Sequence, residues 1–247
     1  MKTKLESMKN RKLIMIILLV TYWISIFILT HIPMPKIVYK AEVSDKTLHF
    51  VAYLILTFLF WAAYSPDKKI DWRKKTIWLV IPVLMAYGAI DEWLQQYVGR
   101  STDLTDWFAN IKGVAAGLIL LSFLEFKSCF IVVTGTSIFA ISTLAKANLG
   151  ELMPKIYSIF HLLSYSLFAQ LWIWKLRQYR DKINLTELKW MIFAYAFPLF
   201  FLAVVVLTAK LMGRYFELIN MIIAFAAISA IMAANIIFLI QNNKRAA

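Results

Sequence analysis

Two adjacent carboxylates, Asp91 and Glu92, close an apolar stretch and are followed by Gln95, at helical spacing from both. A short polar turn comes next, Gly99-Arg100-Ser101-Thr102-Asp103-Leu104-Thr105-Asp106. From Asp103, the residues Asp106, Asn110, Gly113 and Gly117 recur at i+3, i+7, i+10 and i+14, one stripe down a helix. Upstream, Asp45 and His49 are four apart, and Tyr53 extends their face. Such residue types can do acid–base chemistry. His49 with Asp45 makes a base and its orienting partner, and Glu92 with Asp106 supplies further carboxyl groups. Catalytic candidates are therefore Asp45, His49, Glu92 and Asp106. Gln95, Arg100, Asp103 and Asn110 are ligand-binding candidates. Arg100 can pair bidentately with a carboxylate or a phosphate, while the amides offer hydrogen bonds. Asp103, Asp106 and Glu92 together have the oxygen ligands that suit Mg²⁺ or Ca²⁺, although the sequence assigns no metal and no other cofactor.

Each motif also has a structural alternative. Ser44 and Asp45 suit a helix start, a carboxylate at a span end can reach the interface, and Gly113-x-x-x-Gly117 lets a second helix approach closely. There is no serine or cysteine nucleophile motif, and the single Cys129 excludes an internal disulfide and a cysteine-based metal cluster.

The elements that must position these groups are membrane spans. The chain has 247 residues and is 61% hydrophobic and 17% charged, against about 45–50% and about 25% in a soluble domain. The excess falls into runs near the roughly 20 residues that cross a bilayer. Without period-2 alternation, helices are the remaining way to satisfy the backbone in lipid. The sequence predicts an all-α polytopic transmembrane bundle of about eight spans, near 13–31, 47–64, 76–97, 104–124, 129–147, 155–174, 189–209 and 216–240. The fourth, with Asp106, Asn110 and Lys112, is the least regular. The first follows a basic stretch and lacks a small-residue cleavage site, so it reads as an uncleaved signal anchor.

Charge distribution sets the expected orientation. With both termini in the cytoplasm, the inner segments hold 18 of the 27 Lys and Arg and the outer loops hold eight. Most of the tryptophans, Trp72, Trp78, Trp93 and Trp107 among them, fall near span ends. The net charge of +13 then reflects topology, and no nucleic-acid-binding pattern accompanies it. The expected location is the cell membrane, with the lipid bilayer as partner and the polar motifs near the outer face.

The sequence also echoes itself. Met34-Pro35-Lys36-Ile37 returns as Met153-Pro154-Lys155-Ile156, and His49-x-x-x-Tyr53 returns as His161-x-x-x-Tyr165. Gly99-Arg100-x-x-Asp103-Leu104-x-Asp106 returns as Gly213-Arg214-x-x-Glu217-Leu218-x-Asn220. A tandem 4+4 repeat follows as an expectation, with a first unit over 1–126 and a degenerate copy over 127–247. Val205 and Val206 fall opposite Asp91 and Glu92, so the chemistry stays with the first unit.

The motifs Asp45-Lys46-x-x-His49-Phe50-x-x-Tyr53, Glu92-x-x-Gln95 and Gly99-Arg100-x-x-Asp103-x-x-Asp106-x-x-x-Asn110-x-x-Gly113-x-x-x-Gly117 resemble the VanZ-like family of bacterial membrane proteins. The resemblance covers about residues 10–125. It implies a cell-envelope protein of a family whose namesake is linked to resistance to the glycopeptide teicoplanin. Three activities fit. The first is binding of a lipid-linked or anionic headgroup ligand at the outer leaflet, with Arg100 on a phosphate. The second is an intramembrane hydrolase or transferase acting on a lipid-phosphate substrate. The third, ranked last, is transport, which parallel repeats suit but polar groups near a surface do not.

Overall fold

Apolar side chains cover the outside of this chain. Leu13, Ile17, Leu29, Leu79, Phe123, Phe200 and Leu211 are among the many large hydrophobics left exposed by the fold. In water that surface would aggregate, whereas in a bilayer it meets a solvent of its own polarity. The computed structural model describes residues 2–31, 46–65, 68–98, 103–145, 150, 153–180, 186–214 and 216–246. Of the described residues 90% are helical, and among them eight helices are long and apolar enough to span a membrane, as expected from the sequence. The chain is a multi-pass membrane protein.

The helices are α1 (Lys2–His31), α2 (Lys46–Tyr64), α3 (Lys75–Gln95), α4 (Leu104–Phe123), α5 (Phe126–Phe139), α6 (Pro154–Arg180), α7 (Glu187–Leu211) and α8 (Leu218–Ala246). A 3₁₀ turn, Gln96–Val98, continues α3, and a π-type turn, Ala140–Leu144, continues α5. Helix α4 forms although its sequence carries Asp106, Asn110 and Lys112. Asp106, Asn110, Gly113 and Gly117 all turn inward and are buried, so its polar stripe never meets lipid.

The chain divides into two compact units, Met1–Val133 and Thr134–Ala247. In the first, α2 is the central helix and α4 its main partner. Leu54, Phe58 and Ala62 of α2 are buried in one core with Val114, Leu118 and Leu121 of α4. The glycines of α4 make this closeness possible. A Cβ at Gly113 would collide with the backbone carbonyl of Phe50, and one at Gly117 would lie 2.9 Å from the Thr57 side chain. Helix α1 crosses α2, donating the Tyr22 hydroxyl to the Ala52 carbonyl at 3.1 Å, and places Trp23 edge-on to Tyr87 of α3. At one end the basic loop before α3 closes the bundle. Lys69 Nζ donates to the Phe123 carbonyl at 2.8 Å, a cation on the last turn of α4. Trp72 and Trp78 stand exposed at this end, and Trp93 and Tyr97 at the other end of α3. Aromatic side chains at both ends mark the two interfaces.

In the second unit α6 packs mainly on α8. Asn235 of α8 donates to Gln170 of α6 at 2.9 Å, and Arg177 lies over the ring of the buried Trp190. His161 is wholly buried among Tyr157, Tyr165 and Phe216.

Candidate functional site

The site is built in layers, with one residue per layer from each of three helices. His49 lies in the first turn of α2, Glu92 in the last turn of the antiparallel α3, and Asp106 in the first turn of α4. His49 Nδ1 is 3.3 Å from Glu92 Oε1, and its Nε2 is 3.7 Å from Asp106 Oδ2. The three side chains are only 10%, 4% and 9% exposed. One turn further in, the layer is Tyr53, Gly88 and Asn110. Asn110 Oδ1 reaches back to His49 Nδ1 at 3.1 Å. Tyr53 and Asn110 are each 1% exposed. A third layer begins at Gly113, against Phe50, Tyr53 and Leu54.

A second polar group faces α1. Adjacent residues of a helix point about 100° apart, so Asp91 and Glu92 serve different neighbours. Asp91 Oδ1 accepts the Thr30 hydroxyl at 3.1 Å and lies 3.8 Å from His31 Nδ1. Asp91 Oδ2 accepts Gln95 Nε2 at 3.1 Å. The sequence reading picked out neither Thr30 nor His31. Their signal was a Thr-His pair ending an otherwise apolar run, at the depth where Asp91 needs partners.

The structure thus joins His49, Glu92, Asp106 and Asn110, and assigns Gln95 to Asp91. Asp103 stands apart as the cap of α4, accepting the Thr105 amide at 2.8 Å. The cation set read from the sequence used Asp103, whereas the structure clusters His49 with Glu92 and Asp106. Asp45 and Arg100 lie outside the described residues, as does the Gly99–Thr102 turn. Beside the cluster, a cleft of about 270 Å³ runs between α3 and α4, lined by Ala89, Trp93, Leu104 and Trp107, with Glu92 and Asp103 as its polar groups.

The cap of α4 carries a pH signature. The Thr105 hydrogen bond holds the Asp103 carboxyl below its ordinary value. A carboxyl depressed in the folded state contributes stability above its unfolded value, near about 3.9, and loses it as pH falls through the lower folded value. Asp103→Ala should therefore cost about 1 kcal/mol at neutral pH. In paired thermal melts the difference from wild type should shrink below about pH 3.9. A difference that stays constant would remove this role.

Compared with family models, residues 3–125 match the one described as VanZ/LLP1. The chain belongs to this family through its N-terminal half. The VanZ-like segment takes in α1 to α4 and so contains all three layers and the Asp91 group. Compared with curated proteins and with solved structures, the chain finds no match.

Proposed function

We propose that the VanZ-like unit binds the polar head of a lipid-linked or anionic envelope lipid at the outer leaflet, and thereby protects the envelope against a glycopeptide such as teicoplanin. The cleft between α3 and α4 carries this reading. Its walls, Leu104, Trp93 and Trp107, suit a hydrocarbon stem, and it lies near helix ends, where a headgroup sits. The distribution of basic residues supports an orientation with that end outside and both termini in the cytoplasm. Arg100, four residues before Leu104 in sequence, supplies the cation for a phosphate. His49, Glu92 and Asp106 all lie within a turn of a helix end, which favours a surface site over a midplane transport site.

The test is a susceptible bacterial host expressing the protein. Wild type should raise the inhibitory concentration of teicoplanin, and Arg100→Glu should abolish that rise with the protein still inserted in the membrane. Resistance retained by the inserted variant would sink the reading.

One observation favours a second reading. A buried imidazole between two carboxylates is an acid–base arrangement, which suits a hydrolase or transferase acting on a lipid-phosphate substrate. Purified protein without turnover of such a substrate, with or without EDTA, would remove it.

The sequence echo supports reading the second unit as a degenerate copy: His161 and Tyr165 repeat the spacing of His49 and Tyr53, while Asn220 hydrogen-bonds Ser158 and valine falls opposite Glu92. We read it as a scaffold that has lost the chemistry.

A further inference from the structure

We propose that the N-terminal unit holds one first-row divalent cation, Mn²⁺ or Zn²⁺, between His49, Glu92 and Asp106. A fourth ligand oxygen on the metal would be received by Tyr53 and Asn110.

The ligand atoms come first. One from each of the three side chains lies within 4.8 Å of the other two. Metal–ligand bonds of about 2.1 Å give a tetrahedral edge of about 3.4 Å, so small side-chain rotations close the set. Nε2, 3.7 Å from Asp106 Oδ2, is the nitrogen we assign to the metal. Nδ1 lies 3.3 Å from Glu92 Oε1 and 3.1 Å from Asn110 Oδ1; with Glu92 turned to the metal, Nδ1 donates its proton to Asn110. A second ring nitrogen held in this way fixes the tautomer of a ligating histidine. One imidazole with two carboxylates suits Mn²⁺ and Zn²⁺ better than the all-oxygen shells of Mg²⁺ and Ca²⁺.

Charge points the same way. Glu92 lies in the last turn of α3, where the helix carries partial negative charge. Two carboxylates, a neutral imidazole and a dication sum to zero, the least costly state for a site enclosed by lipid.

The next layer inward supplies an independent sign of a ligand. Tyr53 Oη and Asn110 Nδ2 are buried and have no hydrogen-bond partner among the described residues. Both surround the same point, 3.3 and 3.4 Å from where a Cβ on Gly88 would stand. Two buried donors aimed at one small space call for an acceptor oxygen. Gly88, one turn before Glu92, leaves the room for it. A water or substrate oxygen on the open metal position would fill that role.

The experiment uses the full chain in detergent micelles, stripped with EDTA and titrated with Mn²⁺, then with Zn²⁺ as competitor. We expect one Mn²⁺ per chain, displaced by Zn²⁺, with a histidine nitrogen coupling in its pulsed EPR spectrum. Glu92→Gln and Asp106→Asn should each weaken binding at least about tenfold, and Asn110→Ala by about 10–100-fold through the histidine it orients. Asp71→Asn, in the loop before α3, should leave binding unchanged. If the ligand variants fail to fold, the nitrogen coupling of wild type decides. Folded wild type that binds neither ion, or Mn²⁺ bound without that coupling, overturns the proposal. The resistance test above stands or falls separately, because it uses no metal readout.

Discussion

Gly113→Ala is expected to force α2 and α4 apart and to destabilise the N-terminal unit by about 1–3 kcal/mol or more. The added methyl would collide with the Phe50 carbonyl and come within 3.0 Å of the Leu54 amide nitrogen and of Tyr53 Cβ. The first two are backbone atoms on a packed helix, and they cannot rotate aside. Gly88→Ala offers the contrast. There the atoms nearest the new methyl belong to the Tyr53 and Asn110 side chains, at 3.3–3.4 Å, and these can shift by a few tenths of an ångström. Thermal unfolding of the two variants in the same detergent checks the pair. A Gly113→Ala protein that melts with wild type would mean that the helices do not approach as described. The displacement would also separate His49 from Asp106 and Asn110, so the polar cluster should be lost together with stability.

The second large effect concerns His49 itself. Its imidazole is in contact with both Glu92 and Asp106, side chains that are nearly closed to solvent. Removing one partner of a buried polar cluster leaves the others unsatisfied, at about 1–3 kcal/mol for each and more for a carboxylate. His49→Ala should show a loss of that size. Adding Glu92→Gln and Asp106→Asn should recover much of it, since buried amides are less costly than buried carboxylates to leave without a partner. A non-additive recovery in the variant cycle is the signature of a shared cluster. If His49→Ala alone is as stable as wild type, the imidazole does not hold these carboxylates.

The cluster also explains why a polar stripe survives in a lipid-facing chain. Asp106 sits in the first turn of α4, where the helix end favours negative charge, and Asp103 has taken the capping duty. Asp106 is therefore available to turn inward. The same division of labour separates Asp91 from Glu92. One is satisfied by Thr30 and Gln95, the other faces His49. Neither carboxylate reaches out to the lipid face, which is the alternative that their place near a helix end would allow.

What the sequence determined by itself was the set of spans and the helix faces. Lipid leaves the backbone no alternative to helices, so the lengths of the apolar runs placed eight of them within a few residues of those observed. Helical periodicity likewise put Asp106, Asn110, Gly113 and Gly117 on one face, and that face is the buried one. Which faces meet was a matter for the tertiary structure alone. The spacing from Asp45 to His49 suggests a partner on the same helix, and Asp45 lies outside the described residues; Glu92 and Asp106, from two other helices, stand against the imidazole. Thr30 and His31 joined Asp91 only because α1 crosses beside α3. Periodicity fixes directions within a helix, but the choice of neighbour depends on which surfaces pack most closely, and here the close approach allowed by Gly113 and Gly117 decided it.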